Sequence, residues 1–277
     1  MTPQSEKGNE ARYNIRVLDR AISILKLLSD GKPRTHLEVS EGIDLSPSTT
    51  FRLLATLSYH NYVKRDEKTN RYTLGLACLE LAHAYQASND LRRVALPELE
   101  ALRDDVKETV HLAILDQMEI VYVEKLSGLH AIGIMSSRVG GRAPAYCTGV
   151  GKVLLAYAKP EQVKEHYQKN GLIRFTDTTI TDYKKLEAEL RSIRENGYAF
   201  DRGEHEHEVR CVAAPIFDVS GEAVAALSIS GPRDRLEPLE ENYELVEKAR
   251  QTAGRISRQL GYQPAQGSQA LVSSDHR

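Results

Sequence analysis

The 277-residue chain is poor in cysteine, nearly balanced in charge and free of long apolar runs, and each shortage removes a class of protein. Its three cysteines, Cys78, Cys147 and Cys211, are scattered without C-x-x-C spacing, which argues against a disulfide framework and a structural zinc site. No segment approaches the roughly 20 apolar residues of a membrane span, and the N-terminus lacks the apolar core of a secretion signal. A cytoplasmic protein with no membrane partner is expected. A formal net charge of -2 gives no overall sign of a nucleic-acid binder. The basic excess is local instead: residues 12–75 hold eleven Lys and Arg against seven Asp and Glu. The rest of the composition, 41% hydrophobic with mixed charge, is that of an ordinary globular protein, and the length favours two domains.

The basic region contains the most informative stretch of the chain, Leu45 to Leu57 followed by an alternating segment from Tyr62 to Leu74. Ser46 is a favoured N-cap and Pro47 suits the first helical position, so a helix should begin there. Phe51, Leu54 and Leu57 then mark its apolar face, leaving Ser48, Thr49, Thr50 and Arg52 for the surface. Short hydroxyls and an arginine in the first turns of a helix suit the major groove, where Arg bonds guanine and hydroxyls reach phosphates or base edges. Upstream, Val17, Ala21, Ile24, Leu25 and Leu28 define a helix ending near Gly31, and Thr35 caps a short second helix ending near Gly42. Three helices with a tight turn before the third make a helix-turn-helix. Downstream, two short strands flank the turn Asp66 to Asn70 and carry Lys64, Arg65, Lys68 and Arg71, a basic wing for phosphates. Double-stranded operator DNA is the expected partner.

A helix from Gly75 to about Ser88 reads as a linker, although the spacing alone leaves open whether it belongs to one continuous core. Asn89 and Asp90 should cap the next helix, which carries Leu91, Val94, Leu99, Leu102 and Val106. Beyond it, His111 to Leu115 and Ile120 to Lys125 form a hairpin. Helices are expected near 149–157, 160–169 and 182–196, with Gly197 closing the last. Strands follow at 198–202, 209–217 and 223–230, and a final helix runs from about 237 to 260. Antiparallel strands with helices packed to one side give an α+β domain. The boundaries read as a winged helix-turn-helix over 14–75, a linker over 76–90, a second domain over 91–262, and disordered tails at 1–13 and 263–277.

Arg16 to Leu25, the Ser46 to Leu57 helix, Arg71-Tyr-Thr-Leu-Gly75, Pro144 to Ala156 and Arg210-Cys-Val-Ala-Ala-Pro215 resemble IclR-type bacterial transcriptional regulators over about residues 14–262. The resemblance implies a winged helix-turn-helix, a GAF-like effector-binding domain with an antiparallel sheet, homodimers or homotetramers on palindromic operators, a small organic acid as effector, and no cofactor. It also implies pocket positions. Gly149 and Val150 would offer backbone amides at a helix start to a carboxylate. Asp201, Cys211, Ser228 and Ser230 match polar positions, and Ile132, Met135, Ala143 and Val209 match the apolar wall. The chain departs from the family at Tyr146, where His is frequent, and at Gly149, where Ala is frequent.

Three other chemistries can be weighed for the second domain. Gly149-Val-Gly-Lys152 misses the phosphate-loop pattern, because Tyr146 replaces the first Gly and Val153 the Ser or Thr. His205, His207 and Cys211 could ligate zinc, but a polar loop is the commoner meaning of Glu204-His-Glu-His-Glu208. Cys211 as a nucleophile would need a base such as His205, and no enzyme signature surrounds it. The expected function is therefore a ligand-responsive repressor with no metal and no catalytic residue. The alternative is a small-molecule or metal-dependent enzyme tethered to a DNA-binding module.

Overall fold

The computed structural model describes residues 15–87, 90–129 and 135–263, and the chain divides into two compact units between residues 89 and 90. The two tails expected to be disordered (apart from Gln263), the Asn89 cap and the pocket candidate Ile132 lie outside the described residues.

In the first unit, α1 (Arg16–Leu28), α2 (His36–Gly42) and α3 (Pro47–Tyr59) precede a hairpin of β1 (Val63–Arg65) and β2 (Tyr72–Leu74). Local chemistry sets the helix starts. The Thr35 hydroxyl accepts from Glu38 N while the Glu38 carboxylate accepts from Thr35 N, a complete capping box on α2. On α3, Ser46 accepts from Thr49 N and Pro47 occupies the first turn. Between them, Gly42 lies against Leu27, and a Cβ there would come within 2.8 Å of Cδ2. The hairpin is closed by Asp66, whose carboxylate accepts from Lys68 N at 2.8 Å and Thr69 N at 2.9 Å, with Asn70 at φ 55°. Tyr72 and Arg34 exchange backbone hydrogen bonds and tie the wing to the segment before α2.

Two faces differ from the sequence expectation. The core of this unit is Ile24, Leu28, Val39, Leu53, Leu54, Leu57, Val63 and Tyr72. Val17, placed on the inner face of α1 by spacing, is 55% exposed beside Leu18 and Ile22. On α3 the inward set is Thr50, Leu53, Leu54 and Leu57, and Phe51 points outward. Helix α4 (Leu76–Ala87) closes the unit, with Leu76 and Leu79 exposed.

The second unit begins with α5 (Asp90–Val106). Its sheet holds β3 (Thr109–Asp116), β4 (Glu119–Leu126), β5 (Arg142–Pro144), β6 (Ala199–Asp201), β7 (Val209–Phe217) and β8 (Ala223–Pro232). The strand order is β5-β4-β3-β8-β7-β6, every pairing antiparallel. Between β5 and β6 run α6 (Gly149–Tyr157), α7 (Pro160–Asn170) and α8 (Tyr183–Asn196). After β8 come the short α9 (Arg233–Leu236) and α10 (Tyr243–Gln259). The final helix, expected from about 237, begins instead at Tyr243, after Pro238 and a single 3-10 turn over Leu239–Glu241.

The helices do not pack to one side. Strand alternation sends Val110, Leu112, Val212, Ala214, Ile216, Leu227 and Ile229 against α5 and α10. The opposite face sends Ala113, Ala213 and Ala226 against α6, α7 and α8. Small alanines there let α6 approach closely, and this second face continues directly into the polar residues described next.

Candidate functional site

Period two places His111, Cys211, Ser228 and Ser230 on the α6 face of the sheet, and register brings them together. His111 is opposite Ser228, Cys211 opposite Ser230, and Asp201 opposite Cys211. These side chains enclose a cavity of about 40 Å³ with Met135, Thr148, Gly149, Val150 and Val209. Tyr122, Ser137, His205 and Glu206 complete its wall. Residues Met135, Gly149, Val150, Asp201, Val209, Cys211, Ser228 and Ser230 are thus the sequence candidates that the fold gathers. Ala143 is a correction: it pairs with Ile120 at the β4–β5 edge and packs inside the second core, away from the cavity.

The N-terminus of α6 opens into this space. No side chain caps it, because the Thr148 hydroxyl bonds Pro144 O at 3.3 Å instead. Gly149 lies close against the Cys211 sulfur. The aligned amides beyond it carry the partial positive charge of a helix start.

The wall is mostly neutral. Burial, reinforced by the Lys125 charge, brings the His111 imidazole down to about 3, so it is uncharged at neutral pH. Its Nδ1 lies 3.3 Å from both the Ser228 and Ser230 hydroxyls, and its Nε2 lies 2.9 Å from Ser137 Oγ. Burial pushes the Cys211 thiol well up, with Asp201 adding to the effect. A protonated thiol is a poor nucleophile, and Ser230 stands between it and His111. Two carboxyls reach the wall, that of the half-buried Glu206 and that of the buried Asp201. Burial and the neighbouring Glu204 carboxylate push the Asp201 carboxyl up to about 7, against the pull of Lys152 and the amides of Glu204 and Gly203. Those amides reach Oδ1 at 2.8 and 3.0 Å.

Behind Asp201 sits a buried charge cluster. Lys152 is fully buried and its ammonium meets Glu204 and, at 3.0 Å, Glu189. Burial alone would lower this amine, but Glu204, Glu189 and Asp201 hold it up as a cation. Lys152 therefore does not serve as a phosphate-loop lysine. The loop that follows Asp201 is fastened from outside, since Thr176 and Thr178 bond Gly203 O at 2.7 and 2.9 Å and Thr179 bonds Glu204 O at 2.7 Å. It carries His205 and Glu206 to the cavity rim, whereas His207 is exposed and pairs with Glu208. Among the described residues, no three His, Cys, Asp or Glu side chains form a metal-binding group.

Residues His111, Tyr122, Ser137, Thr148 and Glu206 were not singled out from sequence. His111 had a signal, a lone polar residue within an apolar alternating strand. Ser137 and Glu206 lie in loops, which have no periodicity to read.

On the first unit, Ser46, Ser48 and Arg52 are exposed and Thr49 half-buried at the start of α3. Lys64, Arg65 and Lys68 are exposed on the hairpin, where Arg65 reaches Asn70 Oδ1 at 2.6 Å. Arg71 is partly spent on the scaffold, bonding Pro33 O at 2.8 Å and Glu38 at 3.2 Å. Thr50 is a correction. It is completely buried with an unpartnered hydroxyl, so it belongs to the core of the unit and cannot reach DNA from there.

Residues 17–67 match the IclR helix-turn-helix domain, and residues 83–258 match the C-terminal domain of the bacterial transcriptional regulator IclR. The HTH-type transcriptional regulator KdgR of Escherichia coli is 36% identical over 243 residues, covering 88% of this chain and 92% of that protein. The HTH-type transcriptional repressor AllR of Klebsiella pneumoniae is 35% identical over 263 residues, covering 95% and 94%. The crystal structure of an IclR homologue from Microbacterium hydrocarbonoxydans, complexed with 4-hydroxybenzoate, superposes with a TM-score of 0.77 at 29% identity, covering 88% of this chain and 98% of that one. With a helix-turn-helix in one unit, a pocket lined by hydroxyls, His111 and Asp201 in the other, and both halves matched in order, the chain belongs to the IclR family of bacterial transcriptional regulators.

Proposed function

We propose that this protein is a repressor that binds operator DNA through α3 and the β1–β2 wing, and that a small organic acid in the α6 pocket controls that binding. The observation that carries the reading is the N-terminus of α6, capped by no side chain, opening into a cavity whose wall combines hydroxyls, the neutral His111 and the carboxyls of Asp201 and Glu206. Helix amides and hydroxyls suit a carboxylate, the hydroxyls and neutral His111 suit a keto or hydroxy oxygen, and Met135, Val150 and Val209 suit a short carbon skeleton. The acid acts by binding one arrangement of the protein better than the other, which shifts operator affinity by that differential.

The same reading includes a homodimer or homotetramer. Helix α1 carries apolar residues on two faces, one buried through Ile24 and Leu28, the other exposed through Val17, Leu18 and Ile22. Leu76 and Leu79 on α4 are exposed as well. A second copy covering these faces would pair two recognition helices for two half-sites.

The test is fluorescence anisotropy on a DNA fragment selected from random sequence, repeated with a panel of small carboxylic acids, with recovery of each acid measured. Selective DNA binding that one unchanged acid alters is the expected result. Failure to select any sequence, or conversion of the acid to product, would overturn the reading.

A further inference from the structure

A second cavity, of about 270 Å³, shares no lining residue with the α6 pocket. It forms where α10 passes the end of β7. Strand β6 pairs with β7 only from Ala199 opposite Ala213 to Asp201 opposite Cys211, so β7 runs on beyond its outer neighbour. That free edge does not invite another strand: Pro215 has no amide hydrogen, and the Phe217 amide is bonded to Ser257 Oγ at 2.9 Å. A small molecule is the better occupant.

One wall is aromatic. Tyr157 meets Phe217 edge-to-face at 5.1 Å, and Phe217 stacks on Tyr262 at 5.0 Å. The facing stretch of α10 carries Arg250 and Arg258 four residues either side of Gly254, hence on one helix face. These guanidiniums differ from the other cations of α10. Lys248 is paired with Asp105 at 3.0 Å and Glu244 at 2.7 Å, and Arg255 with Glu98 at 2.7 Å. Among the described residues Arg258 has no ion pair, and Arg250 reaches only Glu247, at 4.0 Å. Gly254 is not demanded by packing, since a Cβ there would meet only Arg258 Nη1, at an ordinary 3.5 Å. A glycine that weakens the helix interior and leaves a notch between two arginines, one without an ion pair among the described residues and one paired only at 4.0 Å, has a ready use as ligand space.

We infer that this cleft is a second ligand site for an aromatic or heteroaromatic anion, its ring against the Tyr157, Phe217 and Tyr262 wall and its carboxylate or phosphate between Arg250 and Arg258. Guanidinium forks suit both anions, and stacking or edge contacts suit the ring.

The test is calorimetric titration of the full-length protein with benzoate and adenosine 5′-monophosphate, and with the ring-free acetate and inorganic phosphate. Benzoate, the nucleotide or both should bind more tightly than the ring-free counterpart, and which of them does so identifies the anionic group. The Arg250→Gln, Arg258→Gln double variant should weaken that binding by about tenfold or more. Gly254→Ala should raise the melting temperature yet weaken binding, whereas a merely structural glycine would change the first alone. Ser228→Ala, in the α6 pocket, should leave binding unchanged. Three results would overturn the inference: no binding by either ring compound, equal binding by the ring-free ions, or loss of binding in Ser228→Ala with the arginine variants unaffected. The first two results leave the α6 pocket untouched, and the third would move the ligand into it, so failure of this inference is distinguishable from failure of the effector reading.

Discussion

Gly149 and Cys211 are matched in size: a Cβ on Gly149 would come within 2.5 Å of the Cys211 sulfur. Glycine at this position, where the family frequently has alanine, leaves room here for the Cys211 side chain on β7. Gly149→Ala should destabilise the second domain by about 1–3 kcal/mol through overpacking, and Cys211→Ala in the same chain should restore most of the loss. Urea denaturation of the single and double variants checks this, and a fully additive pair would contradict the size match.

Asp201 should make stability and ligand affinity depend on pH. Its carboxyl titrates near 7 when folded against an ordinary value of 3.8, so between about pH 4 and 7 the folded chain keeps a proton that the unfolded chain has released. The contribution is fully present below about pH 4 and is lost as pH rises through 7. The melting temperature should therefore fall across that window. Asp201→Asn keeps an acceptor for the Gly203 and Glu204 amides and should flatten the fall. An acid anion should likewise bind more weakly as pH rises through 7, less so in the variant. Identical slopes in both proteins would show that Asp201 is not the group responsible.

Lys152 sits in a cluster in which Glu204 is buried, its Oε2 without a partner. Lys152→Met should cost about 3–5 kcal/mol, because it leaves a buried carboxylate without its cation. Adding Glu204→Gln should return part of it. Chemical denaturation followed by far-ultraviolet circular dichroism is the readout, and a loss below about 1 kcal/mol would mean that water reaches the cluster.

Thr50 and Arg52 should separate stability from DNA recognition. Thr50→Val removes a hydroxyl that costs about 1–3 kcal/mol when buried and unpaired, so the first domain should become more stable with unchanged DNA affinity. Arg52→Ala should lower affinity for the selected operator by about 1–3 kcal/mol more than for random DNA. Arg65→Gln should weaken both and reduce the salt slope by about one. Equal losses on both DNAs for Arg52→Ala, or an unchanged slope for Arg65→Gln, would remove those residues from their assigned contacts.

Elements bounded by local chemistry were legible in the sequence. Helix α8 begins at Asp182, which accepts from Lys185 N, and ends at Gly197 in the left-handed region, as its caps predict. The start of α3 at Ser46 and Pro47 follows the same logic. Rotation of a helix about its axis was not legible, since adjacent residues differ by about 100° and Thr50 and Phe51 compete for one inward position. Chemical preference favours burying Phe51, but the packing of Leu53 and Leu57 selects Thr50. The pocket's strand residues Cys211, Ser228 and Ser230 come from the family resemblance, and the sheet supplies their physical reason, one face with period two. Ala143 shares that apolar character but sits on the short strand β5, beyond the cavity. Which face of the sheet each helix covers depends on long-range packing, and no spacing within β3 or β7 encodes it.

The cavity wall draws His111, Gly149, Asp201, Cys211 and Ser230 from segments spread along most of the second domain, each meeting the others only through strand pairing or helix packing. No fragment of the domain can hold a ligand on these terms. A bound acid is then a clasp on the entire sheet, and its binding energy should appear as slower hydrogen exchange in β3, β6, β7 and β8 together rather than in any one of them.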